Sequence, residues 1–397
     1  MNNKNLIHWW ELPKTTHICL SQQFRLRLKN KRRELKYSQL KLAKLIGVKE
    51  TSVRSWERNQ RRPDKEDLLK LLKELKISRE SIYGHILFIR GEGKGKKIED
   101  PQLPYEEKPE HIQIMSHGFF DGTLGHATEN CNGSLIYQSA NDIEQELFKN
   151  LIEKSNFGTF KLLKDKRHQY SLPSVLTKLL MGHYNINTLS SRKAKFSDYV
   201  IKKFKNFEWK RLVLKAAYID EGSCGKKLVR DNLTIFSSVN QMLIKQISEV
   251  LRSLDYKFSI NRGKTVYSLN LYAISLQKFY KYIISTLPNG YYKRNNAGIL
   301  LKRQERETNI NKQLNKIEKI IIERNQIKVI EVQKLLNIHE ASARRRLKRL
   351  INLNKLIKKG RGKYEINKEH QFTPCGIDRR WKQAFCEKTN DEAIYGA

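Results

Sequence analysis

The chain has 397 residues and carries 78 Lys and Arg against 41 Asp and Glu, a formal net charge of +37. That length holds several separate cores, and so large a basic excess points to a polyanion, most economically nucleic acid. No apolar run reaches spanning length, no basic-then-apolar leader opens the chain, and Cys19, Cys131, Cys224, Cys375 and Cys386 lack zinc-ligand spacing, so a membrane span, a secretory route and a zinc site are set aside.

The first readable pattern lies between Phe24 and Arg62, where fourteen Lys or Arg face three acids. Leu28, Leu35, Leu40, Leu42, Leu45, Ile46, Val48, Val53 and Trp56 recur at helical spacing, with Gly47 where a tight turn falls. Ser38 is placed to cap a helix, Ala43 and Gly47 to allow a close crossing, and Val53 and Trp56 to anchor the next helix. The stretch Ser38–Arg58 resembles the helix-turn-helix of Cro and phage-repressor relatives. The resemblance implies that Lys49, Glu50, Thr51, Ser52 and Arg54 face bases, that Gln39 faces the DNA backbone, and that Arg58, Arg61 and Arg62 add phosphate contacts. Leu68, Leu69, Leu71, Leu72 and Leu75 read as a closing helix of an all-α domain over 1–90. Residues 91–110, rich in Gly, Lys, Pro and Glu, read as a linker.

The middle of the chain contains an internal repeat. Ile114–Gly122 and Leu214–Gly222 each end in an acid and a glycine, Asp121-Gly122 and Glu221-Gly222. The segments C-terminal to these two stretches also correspond: Leu135–Asn141, an amphipathic helix and Tyr170-Ser171-Leu172 in the first copy, Thr234–Asn240, a helix and Tyr267-Ser268-Leu269 in the second. Ser116, Gly118, Ala216 and Ala217 let the two apolar helices approach, which brings Asp121 and Glu221 together. Paired carboxylates of this kind call for a hard cation, Mg²⁺ being the natural occupant. Asp220, beside Glu221, is expected to point away from the axis.

Over 111–302, as two pseudo-repeats 111–205 and 206–302, the pairing resembles the two-motif, single-chain form of the LAGLIDADG homing-endonuclease family. The position two places before each acid, usually Asp in that family, is Phe119 in one copy and Ile219 in the other. The resemblance implies a pseudo-twofold α/β saddle along the DNA major groove, with Asp121 and Glu221 as catalytic and metal-binding acids. Candidate groove-facing residues are Lys164, Lys166 and Arg167 in the first half and Lys226, Arg230 and Lys264 in the second. Many active members place a lysine near the end of the last saddle strand; Tyr170–Pro173 and Tyr267–Tyr272 have no basic residue there.

Leu314–Ile366 reads as three helices and two short strands, with Ile317, Ile320, Ile321 and Ile330 on one inward face, Leu335 and Leu336 on another, and Ala343, Leu347 and Leu350 inward on the third helix. That helix turns Arg344, Arg345, Arg346, Lys348 and Arg349 largely outward, and a hairpin tip comes next with Lys358, Lys359, Arg361 and Lys363. From Arg344 to Lys363 there are ten basic residues and no acid, whereas a merely solvated face mixes signs. The segment 303–370 resembles a winged helix-turn-helix, and 371–397 is read as a tail.

The fold expected is therefore multidomain α+β: an all-α helix-turn-helix domain, a central LAGLIDADG saddle and a C-terminal winged domain. The function expected is a site-specific, Mg²⁺-dependent double-strand DNA endonuclease. The alternative is a catalytically inactive, LAGLIDADG-derived transcription regulator. The expected partner is double-stranded DNA, with no membrane and no obligate protein partner. The protein is expected to be a pseudo-symmetric monomer, cytoplasmic and nucleoid-associated.

Overall fold

The computed structural model describes residues 6–91, 96–124, 133–160, 169–188, 192–224, 233–360 and 362–367, and divides into two compact units, 1–300 and 301–397. The first unit opens with β1 (Leu6–Ile7), a short 3-10 turn and β2 (His17–Leu20), followed by α1 (Gln22–Glu34), α2 (Gln39–Ile46), α3 (Glu50–Glu57) and α4 (Lys65–Glu74). Ser38 caps α2, its Oγ accepting from the Lys41 N–H at 3.0 Å, and Gly47 ends that helix at φ 76°, a left-handed conformation that glycine adopts without steric cost. Val53 and Trp56 are buried as the helical spacing requires. A buried ion pair, Arg32 Nε to Glu57 Oε1 at 2.7 Å, ties α1 to the end of α3.

The domain is not all-α. β2 pairs antiparallel with β3 (Ile86–Arg90), and β3 pairs with β4 (Lys97–Glu99), while β1 pairs with β5 (Tyr105–Glu106). Ile18, Cys19, Leu20, Ile86, Ile89 and Ile98 are buried in the β2-β3-β4 sheet, whose strands are too short to stand out against the helical periodicity around them. The reading of 91–110 as a linker is corrected by the same pairing. Two strands and the first residues of α5 (Pro109–Phe120) fall within it, and Glu99 bridges Thr159 in the central domain.

After α5 come β6 (Thr123–Leu124), β7 (Leu135–Gln138), α6 (Asp142–Ser155), β8 (Gln169–Ser171), α7 (Ser174–His183) and α8 (Asp198–Lys203). The second copy runs as α9 (Phe207–Glu221), β9 (Ser223–Cys224), β10 (Leu233–Ser238), α10 (Gln241–Ser253), β11 (Phe258–Arg262), β12 (Tyr267–Leu271) and α11 (Ala273–Tyr282), and then α12 (Tyr292–Arg324) begins. The sheets run β6-β7-β8 and β11-β12-β10-β9. The repeat is built twice by the same local chemistry. Asn141 Oδ1 accepts from the N–H groups of Ile143 and Glu144 at 2.9 and 3.3 Å, and Asn240 Oδ1 from those of Met242 and Leu243 at 3.0 and 3.3 Å. The preceding Ser139 and Ser238 hydroxyls each accept from the Asn N–H, at 3.0 and 3.1 Å. A Ser-x-Asn cap thus turns each long strand into its helix at the same point.

In the second unit α12 is followed by β13 (Gln326–Lys328), α13 (Val329–Leu336), α14 (Glu340–Asn352), β14 (Leu356–Gly360) and β15 (Lys363–Ile366), in the sheet order β13-β15-β14. Ile317, Ile321, Ile327, Val332, Ala343, Leu347, Leu350 and Tyr364 form its core. Two expectations change. Gln326-Ile327-Lys328 adds a third strand that pairs with β15, and Ile330, expected inward, is 56 % exposed because α13 starts at that strand and turns Val329 and Val332 to the core.

Candidate acidic centre and nucleic-acid surfaces

α5 and α9 pack against each other, and their small residues Ser116, Gly118, Ala216 and Ala217 are all buried. Each helix stops at its acid-glycine pair for a steric reason. A Cβ on Gly122 would stand 2.6 Å from Gly118 Cα, and one on Gly222 would collide with the ring and the carbonyl oxygen of Tyr218. The chain folds back over the last helical turn, leaving the preceding acid at the helix end. Gly222→Ala is expected to lower unfolding free energy by about 2 kcal/mol or more, read as a drop in thermal midpoint of the intact chain; an unchanged midpoint would contradict that tight approach.

Asp121 is exposed at the end of α5 and Glu221 is half-buried at the end of α9. Although Asp121 keeps solvent on one side, partial loss of water around its carboxyl, helped by Asp220 and Glu144, pushes its pKa up to about 6. Glu221 is pushed up to about 7, again first by withdrawal from water and then by the charges of Asp121 and Asp220. Both helix C-termini also present the negative end of their dipoles here. The pair sits where added positive charge is favoured.

Beneath it lies a buried polar cluster. Asp220 does not point away from the axis as expected. Its side chain is fully buried and its two oxygens lie 2.9 and 2.8 Å from His117 Nδ1, joining α9 to α5, with the Tyr137 hydroxyl donating at 3.3 Å. Burial raises its pKa despite the opposing His117. Glu144, on α6, accepts from the Tyr291 and Ser139 hydroxyls at 2.5 Å each. Lys293, 4 % exposed, donates to the Ile219 carbonyl, lies 3.4 Å from the carbonyls of Tyr218 and Asp220, and is 3.8 Å from Glu144. Burial lowers its pKa, against the pull of Glu144, Asp220, Asp121 and Glu221. A lone His117 inside an apolar stretch reads as packing, and Lys293 lies far from either motif, so neither was legible as part of the centre.

Among the basic surfaces, Lys49, Thr51 and Arg54 are exposed on the N-terminal turns of α3, with Glu50 and Ser52 half-buried between them; Arg54 donates to Glu50 at 2.7 Å. Gln39 is engaged inward, donating to Glu57 at 2.6 Å. Arg58, Arg61 and Arg62 are exposed just beyond, Arg62 lying over the Phe88 ring. On α14, Arg344, Arg345 and Lys348 are exposed. Arg346 and Arg349 are half-buried, donating to Gln313 at 2.9 Å and Glu307 at 3.0 Å, so the outward reading holds for only part of that helix. Lys358, Lys359 and Lys363 are exposed on the hairpin, and Lys264 at the β11–β12 turn. Lys164, Lys166, Arg167, Lys226, Arg230 and Arg361 lie outside the described residues.

Strand register reveals a polar face that basic-residue counting overlooked. Ser259 stands opposite Asn270 and Asn261 opposite Ser268, so all four share one side of the sheet, while Leu269 and Leu271 fill the other. Thr234 donates to Asn270 at 2.6 Å and Ser237 meets Ser268 at 3.0 Å, extending this face across three strands. Alternation of small polar and apolar residues was the available signal.

Among the described residues no helix is long and apolar enough to cross a membrane, and no three His, Cys, Asp or Glu side chains converge as a metal site. No curated protein matches the chain. Solved structures similar to it include mesophilic variants of the homing endonuclease I-DmoI, 20% identical over 45% of this chain and 97% of that one, with a TM-score of 0.31. I-DmoI in complex with DNA and Ca is 19% identical over 49% of this chain and 98% of that one, with a TM-score of 0.32. Full-length DUF199/WhiA from Thermatoga maritima is 13% identical over 62% of this chain and 92% of that one, with a TM-score of 0.29. Residues 28–82 match the helix-turn-helix family model, and α2 and α3 lie within them.

Proposed function

We propose that the chain is a site-specific double-strand DNA endonuclease of the two-motif LAGLIDADG type. The observation that carries this reading is the pair Asp121 and Glu221, placed by an internal repeat at the ends of two packed helices and both held back from ionising. Exposed cationic side chains on α3, on α14 and on the β14–β15 hairpin would add phosphate contacts. We read the second unit as a winged helix-turn-helix and the internal repeat as the saddle, with β4 and β5 belonging to the sheets of the N-terminal domain. The chain acts, in this reading, as a monomer whose internal pseudo-twofold replaces a second copy.

The residues present fit a hard divalent cation. Two carboxylates resisting ionisation are relieved by positive charge, and an ion such as Mg²⁺ keeps several waters and substrate oxygens when a site offers few protein ligands. Asp121 and Glu221 would hold it; when bound, it supplies Lewis-acid polarisation of the phosphate and a more acidic water. Asp121, open to solvent, would accept a hydrogen bond from water beside the phosphate, and Glu221, set by the end of α9, would fix the opposite side. A second reading, a DNA-binding regulator that does not cut, is favoured by the two separate basic modules that flank the saddle.

Metal binding has its own test. Carboxylates whose folded-state pKa values are raised to about 6 and about 7 bind protons in competition with a metal. Thermal stabilisation by Mg²⁺ or Ca²⁺ is therefore expected to be large near pH 8 and to fade as pH drops through 7 and 6, while the metal-free pair is itself relieved by protonation. Equal stabilisation at pH 8 and pH 5 would contradict a site made of these acids.

A further inference from the structure

We propose that Lys293 is an internal cation of the acidic centre, placed so that DNA can be held over Asp121 and Glu221 without a metal ion. The inference rests on the reading that DNA crosses this pair. Four acids meet here, Asp121, Glu221, Asp220 and Glu144, and phosphates brought to them meet like charge. Lys293 lies 3.8 Å from the Glu144 carboxylate and reaches the carbonyls of Tyr218, Ile219 and Asp220 just before Glu221, and all four acids pull on its charge.

Its bonding suits this role better than a plain ion pair does. A buried ammonium is tolerated when its three donors are satisfied, and here they are directed at the last carbonyls of α9: Ile219, with Tyr218 and Asp220 each at 3.4 Å. Glu144, at 3.8 Å, is beyond hydrogen-bond distance and is saturated instead by Tyr291 and Ser139. Because the ammonium bonds to carbonyls rather than to a carboxylate, its charge is spent on the helix end that carries Glu221 and on the acids above it. The backbone returns the contact, the Tyr218 hydroxyl donating to the Lys293 carbonyl at 3.0 Å. Lys293 is thus a positioning residue: it holds the end of α9 and offsets the acids, and it touches no reacting atom.

The test measures affinity of the full chain for a duplex selected by the wild-type protein, at fixed ionic strength, in EDTA and in Ca²⁺. Wild type is expected to change by less than about threefold between the two conditions, and Lys293→Met to lose at least about tenfold in EDTA and regain most of it in Ca²⁺. Lys293→Arg keeps the charge and should bind like wild type in EDTA. A loss that Ca²⁺ does not rescue is a structural effect and overturns the proposal, as does a wild type that needs Ca²⁺ or a Lys293→Met variant that binds normally in EDTA. If Lys293→Met does not fold, Lys293→Met with Glu144→Gln leaves no orphaned buried acid and carries the same test. Cleavage in Mg²⁺ separates the two ideas: if Asp121→Asn with Glu221→Gln still cuts at the wild-type rate, DNA does not cross the pair, and the underlying reading fails whatever Lys293 does.

Discussion

Asp121→Asn and Glu221→Gln are each expected to abolish double-strand cleavage while leaving DNA affinity equal to wild type or slightly higher. The asymmetry stems from what each carboxylate does. Even outer partners of metal ligands are worth about 10- to 100-fold in activity or affinity, and a two-carboxylate centre that loses one ligand has too few hard oxygens left to hold Mg²⁺ against water. Affinity is carried elsewhere, by the cations of α3, α14 and the hairpin, and neutralising an acid beside phosphate removes repulsion. Both replacements are isosteric and sit at helix ends, so folding should be preserved, as an unchanged thermal midpoint would verify. Asp220→Asn acts on the fold instead. Asp220 is fully buried against His117 and Tyr137, and its replacement is expected to cost stability. Cleavage surviving in Asp121→Asn or Glu221→Gln at wild-type rates would remove these acids from the chemistry.

Duplex affinity is expected to fall steeply with salt. A protein that neutralises six to ten phosphates loses about 10³- to 10⁵-fold between 50 and 200 mM salt through counterion release, and a chain of net charge +37 with three exposed basic surfaces belongs in that range. Arg344→Ala with Arg345→Ala should weaken binding to all sequences and flatten the slope by about two, one unit per phosphate contact. Thr51→Ala or Arg54→Ala should instead relax preference at a few base pairs, because α3 presents these residues on its exposed N-terminal turns. A change below about tenfold over the same salt range would mean that no extended phosphate interface exists.

How much of this was legible in the sequence depended on whether a feature was local. The cap at Ser38, the turn at Gly47 and the acid-glycine ends at Asp121 and Glu221 are set by residues within a few positions of one another. Spacing alone therefore carries them. The strands β3, β4, β5 and β13 are two to five residues long and draw their stability from partners distant in sequence, so helical periodicity and a Gly-Pro-rich composition masked them. The cluster beneath the acids was hidden for the same reason. His117 meets Asp220 across 103 positions and Tyr291 meets Glu144 across 147, and no pattern within either motif announces these pairings. Lysine near the centre was sought at the ends of the saddle strands; Lys293 instead comes from the first turn of α12.

The most direct measurement is incubation of the full-length wild-type chain with a randomised duplex library in Mg²⁺, with a parallel reaction in Ca²⁺, and sequencing of the cut and bound fractions. The proposed function predicts a selected set of duplexes cut on both strands in Mg²⁺ and bound uncut in Ca²⁺. Tight, selective binding under both ions with no cut product would contradict the endonuclease and leave a DNA-binding regulator.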